Sequence, residues 1–370
     1  MKYSLLTALY LLLSAYSPLF AQNKLQPGFD AKEYVSLLSL AFYGSSIPDT
    51  AARKHEKDIY SKLYVSPEVG LKNQWSLFLR NDNVAVVCIR GTVGDNLSWA
   101  ANFYAAMIPA SGTLFLNDST SFKYKLAADD QAAVHVGWTV ALASMAPDIV
   151  LKIKELYAKG VRDIYITGHS QGGAIAFLVR SYLHYQQHEG ALPKDILFKT
   201  YCSAAPKPGN LYYAYDFENI TRDGWAYTIV NRLDWVPETP YTIQRIQDMN
   251  EVNPLIRTKD LLKKQKLPLK LAGGFLYGKL NRKPRKAQKV LTKYLGSKMY
   301  KIAIKKALPQ FKEPQYVPSD NYMRAGNPVV LVPDDEYRQR FKETGTDYFI
   351  HHQFAPYYFL TKKYYFGTGK

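Results

Sequence analysis

The stretch from residue 163 to residue 184 constrains this chain more than any other. Asp163 to Thr167 (Asp-Ile-Tyr-Ile-Thr) is a short, mostly apolar run rich in β-branched and aromatic residues, which reads as a buried strand. It passes directly into Gly168-His169-Ser170-Gln171-Gly172-Gly173, and Ala174 to His184 continues with a helical pattern. A strand joined to a helix without a loop forces a turn so tight that side chains two before and two after its apex collide. Glycine stands at both places, and a serine stands at the apex. In that setting Gly-x-Ser-x-Gly presents a serine hydroxyl at the tip of the turn, with the N–H groups of the helix start facing any anion formed there.

Other runs extend the pattern. Asn83 to Ile89 is a buried-strand candidate that ends at Arg90-Gly91-Thr92, and Val136 to Lys159 reads as a helix. Further strand candidates are Leu197 to Ala204, Trp225 to Val230 and Pro328 to Val332. An amphipathic helix is expected over Ala31 to Tyr43 and an aromatic one near Ile350 to Thr361. Strands alternating with helices predict an α/β layer fold with a mostly parallel central sheet flanked by helices. With 370 residues, 47% of them apolar, the chain can bury a large core. Met1 to Ala21 reads as a signal peptide: Lys2, an apolar centre at Leu5 to Leu13, and a cleavage site at Leu19-Phe20-Ala21 before Gln22. That run is broken by Ser14, Tyr16 and Pro18, so it is too short for a membrane span. The expectation is an exported protein, secreted, periplasmic or on the cell surface, with one domain over 22–370. Cys88 and Cys202 lie in apolar runs and read as small buried hydrophobes, with nothing to indicate that they pair.

A serine hydroxyl is a poor nucleophile until a base takes its proton. Where the serine sits on a strand-to-helix turn, its partners follow in the order serine, acid, histidine. Of the seven histidines, His55, His135 and His169 precede Ser170, while His184 and His188 fall on the helix directly after it. His351 and His352 remain. For the acid, Asp234 follows the run Ala-Tyr-Thr-Ile-Val at 226–230, where a side chain emerges at the carboxyl edge of a sheet.

These residues carry a resemblance to the class 3 (fungal-type) lipases within the α/β-hydrolases. Arg90-Gly91-Thr92 resembles the family's oxyanion turn, and His135-Val136-Gly137-Trp138 the short motif ahead of the nucleophile. Ala205-Pro206-Lys207-Pro208-Gly209-Asn210 is similar to the Pro-Arg-x-Gly-Asn run that follows the nucleophile turn, with Lys207 in the arginine place. Asn231-x-x-Asp234-x-Val236-Pro237-x-x-Pro240 resembles the acid motif. The resemblance implies Ser170 as nucleophile, Asp234 as acid, and the backbone N–H groups of Thr92 and Gln171 as the oxyanion hole. It favours His352 over His351 as base, because the family's histidine commonly stands five residues before a tyrosine, here Tyr357. The implied activity is serine ester hydrolysis on lipid esters, requiring no metal or organic cofactor. A short-chain carboxylesterase or a phospholipase shares every motif, and the rival from another class is a non-catalytic protein that binds anionic lipid or polymer on the same scaffold.

Two regions stay open. Leu97 to Pro109 is a helix candidate with Trp99, Phe103 and Met107 at helical spacing, in the place of the family's lid, and it also fits a plain core helix. Arg257 to Glu313 interrupts the α/β pattern and carries 18 Lys or Arg against two acids, so one segment supplies +16 of the formal net charge of +17. Leucines among its lysines suit an anionic membrane surface better than nucleic acid, while leucines packed on the domain are the alternative. A partial phosphate-loop pattern, Gly273 to Lys279, has Leu280 where a Ser or Thr is needed and reads as chance, and His184 with His188 as a solvated pair.

Overall fold

A computed structural model describes residues 24–43 and 58–367, so the signal-like segment and His55 lie outside the described residues. Its main sheet has seven strands: β1 (Tyr60–Val65), β2 (Trp75–Arg80), β3 (Val84–Ile89), β4 (Asp163–His169), β5 (Leu197–Ser203), β6 (Ala226–Asn231) and β7 (Asn327–Leu331), in that spatial order. From β3 to β7 all neighbours are parallel, whereas β1, β2 and β3 pair antiparallel. The expected mostly parallel sheet is therefore present, and it is extended at one edge by the antiparallel strands β1 and β2.

The period of two in β3 assigns each face. Val84, Val86 and Cys88 join the core cluster on one side, and Ala85, Val87 and Ile89 the cluster on the other. Helix α1 (Ala31–Ala41) covers the first side, started by the Asp30 carboxylate, which accepts from the N–H groups of Lys32 and Glu33. Helices α2 (Asn96–Phe103), α3 (Val136–Ala158) and α4 (Gln171–His188) belong to the second side. In the basic region the main element is α5 (Leu267–Leu291), and near the C-terminus α6 (Phe354–Tyr365) packs beside α1. Cys88 and Cys202 are both buried and unpaired with each other.

One expected element is corrected. The helix read over Leu97 to Pro109 stops at Phe103, and Met107–Pro109 is a strand paired antiparallel with Ala133–His135. Tertiary bonds decide this. The carbonyls of Tyr104 and Ala106 accept from Gly137 N–H (2.9 Å) and Val136 N–H (3.0 Å), two donors at the start of α3 that have no intrahelical partner. The closeness also explains Gly137, since a Cβ there would lie 2.0 Å from the Ala101 carbonyl oxygen.

The two halves of the basic region differ, and the expectation of leucines packed on the domain is met in the second half only. Gln288, Gly296, Tyr300 and Ile304 are buried against the domain, whereas Thr258–Lys263 and the first part of α5 have no buried residue before Gln288. The glycines of the partial phosphate-loop pattern, Gly273, Gly274 and Gly278, lie inside α5, where no cradle for a phosphate forms.

Candidate active site

Ser170 stands between β4 and α4 with φ +60° and ψ −129°, a backbone conformation strained for any residue with a Cβ. Its N–H donates to the Ser203 carbonyl at the end of β5 (2.9 Å), which fixes the apex of the turn to the sheet. The glycine requirement is steric: a Cβ on Gly168 would sit 2.3 Å from the Gly172 carbonyl carbon, and one on Gly172 would sit 2.2 Å from the Ile89 carbonyl oxygen. Both contacts are with backbone, so neither can be relieved by rotating a side chain. Strain at Ser170 is thus maintained by packing on both sides of it.

Asp234 follows β6 in a turn closed by its own N–H donating to the Asn231 carbonyl (2.9 Å). Its carboxylate is buried and fully engaged. Oδ1 accepts from the Val236 N–H (3.0 Å), and Oδ2 accepts both from the Tyr357 hydroxyl (2.7 Å) and from His352 Nδ1 (2.7 Å). A carboxylate can only accept, so His352 carries a proton on Nδ1 and donates it to Asp234. The His352 Nε2 is enclosed and has no hydrogen-bond partner among the described residues. The tyrosine five residues after His352 therefore has a physical purpose, which is to hold the same carboxylate oxygen as the imidazole.

His351 is placed elsewhere. Its Nδ1 bonds the Tyr337 hydroxyl (2.8 Å) and its Nε2 meets Glu343 (3.2 Å), so neither nitrogen faces Asp234. Its carbonyl accepts from Asn231 Nδ2 (3.1 Å), which also reaches the Tyr337 hydroxyl (2.7 Å). The pair thus divides, with His351 bracing the loop and His352 bonded to the acid.

Sequence reasoning discarded His169 as a base, and the structure gives it another place. Its Nε2 lies 2.7 Å from the His352 carbonyl oxygen and its Nδ1 3.0 Å from Ser203 Oγ. Burial, and then repulsion by His352, hold His169 well below the usual histidine range, so it is neutral. A carbonyl only accepts, so Nε2 is the donor, Nδ1 accepts from the Ser203 hydroxyl, and Ser203 Oγ accepts from the Tyr34 hydroxyl (2.8 Å). One chain of bonds thereby runs from α1 through β5 to the backbone of His352.

Thr92 and Gln171 are brought together by a residue that no motif flagged. Asn102, near the end of α2, donates from Nδ2 to Thr92 Oγ1 (2.9 Å). Its Oδ1 accepts from Gln171 Nε2 (2.8 Å) and from the Trp138 indole N–H (3.0 Å). Gln171 Nε2 also reaches the Ser98 carbonyl (3.1 Å), so both residues named for the oxyanion hole are tied to α2. The backbone N–H of Gln171, at the first position of α4, is one of the donors that a helix leaves without an intrahelical acceptor. His135 caps α3 by accepting from Trp138 N–H (3.3 Å), and its Nε2 lies 3.1 Å from the Asn102 carbonyl. Burial pushes it down to about 3, so it stays uncharged. The only signal for Asn102 in the sequence was its place within the helix candidate after the Arg-Gly-Thr turn.

Around this centre lies an aromatic rim. Phe349 is 5.9 Å from the His352 ring, 6.0 Å from Trp99 and 5.3 Å from Trp235, and Trp99 stacks on Phe103 at 6.2 Å. Phe103 and Trp235 are exposed. No group of three or more His, Cys, Asp or Glu side chains among the described residues is placed to hold a metal.

Residues 86–244 match the sequence model of the family described as Lipase (class 3). No curated protein matches the chain. Among solved structures, the Rhizomucor miehei lipase propeptide complex is similar at 16% identity over 58% of this chain and 65% of that chain, with a TM-score of 0.42. The mono- and diacylglycerol lipase from Aspergillus oryzae gives 18%, 57%, 73% and 0.42 in the same order, and lipase II from Rhizopus niveus 17%, 57%, 73% and 0.41. The matched residues run from β3 through the serine turn to beyond Asp234, the stretch that holds all five motifs named from sequence, while His351 and His352 lie outside it. Over this stretch, a little under half of the chain, the protein is similar in sequence to the class 3 lipases.

Proposed function

We propose that the protein cleaves lipid esters by acyl transfer through Ser170. The observation that carries the proposal is the bond of His352 Nδ1 to a fully satisfied, buried Asp234, with Nε2 left unpartnered and the His352 carbonyl bonded to His169, the residue before the serine on its strained turn. In this mechanism Ser170 Oγ attacks the ester carbonyl carbon while His352 Nε2 takes the hydroxyl proton. Asp234 stabilises the imidazolium, and the backbone N–H groups of Thr92 and Gln171 receive the oxyanion. Collapse expels the alcohol, protonated from Nε2. Water then repeats the attack on the acyl-enzyme and releases the acid.

The aromatic rim supports an apolar acyl chain over a small polar one, since Trp99, Phe103, Trp235 and Phe349 would cover it on the way to the serine. Acylglycerols are the substrate class proposed. Export, read from Met1 to Ala21, belongs to the same proposal and predicts a mature N-terminus at Gln22. The test is Ser170→Ala, which removes only a hydroxyl. Hydrolysis of esters of graded chain length is expected to fall by several orders of magnitude, and labelling by a fluorophosphonate to vanish, with the fold unchanged. A folded variant that keeps more than a few per cent of the activity overturns the assignment, and a preference for acetyl over long-chain esters overturns the lipid reading.

A further inference from the structure

The first part of α5 breaks the usual rule for surface helices. Leu267 to Leu280 (Leu-Pro-Leu-Lys-Leu-Ala-Gly-Gly-Phe-Leu-Tyr-Gly-Lys-Leu) contains two lysines and no acid. Leu267, Leu269, Leu271, Phe275, Leu276 and Leu280 are each between 57% and 69% exposed. Six large apolar side chains on two opposite sides of one short helical segment give an apolar surface that a water-surrounded protein rarely leaves open. Both ends of the segment are cationic: Lys263, Lys264 and Lys266 precede it, and Arg282, Lys283, Arg285, Lys286 and Lys289 follow. The one acid close by, Asp260, is paired with Lys263 (2.7 Å).

The other half of the insertion is a fixed stem. Gly296 packs so closely that a Cβ there would lie 2.9 Å from the Ala106 Cβ, and the Leu295 carbonyl accepts from the Ala106 N–H (3.3 Å). The Tyr300 hydroxyl donates to the Phe311 carbonyl (2.7 Å), and Ile304 is fully buried. An apolar tip between two basic collars on an anchored stem has the chemistry of a bilayer surface: hydrocarbon in the middle, anionic headgroups around it. At about 1.5 Å per residue a helix of this length spans roughly 21 Å, less than the roughly 30 Å of a bilayer core, so it enters one leaflet without crossing.

We propose that Leu267–Leu280 is a lipid-inserting tip that docks the protein on an anionic bilayer, with the flanking lysines and arginines on its headgroups. Nucleic acid would use the charge and leave the leucines in water, and a second copy of this chain would set cation against cation. Docking is separate from the Ser170 chemistry, so either proposal can fail alone.

The experiment uses the full mature chain and vesicles of phosphatidylcholine with and without phosphatidylglycerol. Phe275→Trp is expected to show blue-shifted fluorescence with the anionic vesicles, quenched by brominated acyl chains. A tip variant, Leu269→Gln with Leu276→Gln, is expected to lose at least tenfold in vesicle affinity at unchanged hydrolysis of a soluble ester. A collar variant, Arg285→Gln with Lys286→Gln, is expected to lose severalfold on anionic vesicles and little on neutral ones, with salt acting likewise because charges are screened within about 10 Å at 0.1 M. The proposal is overturned if the wild type does not sediment with anionic vesicles, or if the tip variant binds them as well as wild type. It is also overturned if Phe275→Trp shifts only with DNA, or if the tip is buried in a dimer that sedimentation velocity detects in lipid-free solution.

Discussion

Asp320 joins the stem of the basic insertion to the domain, and its ionisation gives a stability effect whose size follows from its surroundings. The side chain is 1% exposed and Oδ2 has no hydrogen-bond partner, while Gln288 and Thr292 of the insertion bond to the carboxyl. Burial pushes this carboxyl up to about 7 from 3.8, against the bonds from Gln288 and Thr292 and the charge of Arg245, with Asp248 adding to the rise. A folded-state value above the unfolded one means that the unfolded chain gives up this proton first. Stability from the group is therefore intact below about pH 4 and is lost as pH rises through 7. Three pH units at 1.36 kcal/mol each put the full loss at about 4 kcal/mol, an upper figure. Asp320→Asn keeps the shape and an acceptor oxygen but never ionises. Urea unfolding of both proteins near pH 4 and near pH 8 is the assay. The two should be alike near pH 4, and the variant more stable by up to about 4 kcal/mol near pH 8. A stability difference that is the same at both ends would refute the reasoning, since it would mean that Asp320 ionises in the folded protein as it does in the unfolded chain.

Comparing His351→Ala with His352→Ala by ester hydrolysis should give a dead protein for His352 and a working, somewhat less stable one for His351; the reverse would move the base by one residue. His169→Phe keeps a ring but loses the donor to the His352 carbonyl, so kcat should fall about tenfold with KM little changed and thermal unfolding nearly normal. Equal kcat in that variant would show that the chain of bonds from Tyr34 does not position the base.

Much of this arrangement was legible because it rests on local rules. The strand, the two glycines and the serine reveal their turn within six residues, since the collision that glycine avoids is between near neighbours. Asp234 was legible from its place after an apolar strand. Tyr357 was seen as a spacing without its reason, because the bond that explains it, to Asp234, spans more than a hundred residues. Asn102 and Ser203 were missed for the same cause: an asparagine in a helix and a serine at a strand end carry no local pattern, and only tertiary contact gives them partners. The end of α2 was misplaced because carbonyls that a longer helix would have used internally are taken by α3. Strands β1 and β2 were not singled out, their apolar residues being interleaved with polar ones at the edge of the sheet.

Asn102 has a consequence for how substrate reaches the serine. Because one side chain braces both Thr92 and Gln171, and α2 supplies it, α2 cannot swing away as a rigid flap while the proposed oxyanion pocket stays assembled. Admission and turnover would then be opposed states of one equilibrium, and whatever favoured opening would lower the population able to react. In this chain, access is therefore expected to depend on rotamer changes of Trp99, Phe103 and Phe349 over a stationary backbone. An acyl-enzyme analogue solved with α2 displaced and Thr92 still in place would contradict this, and one with only those rings turned aside would identify the gate as a set of side chains.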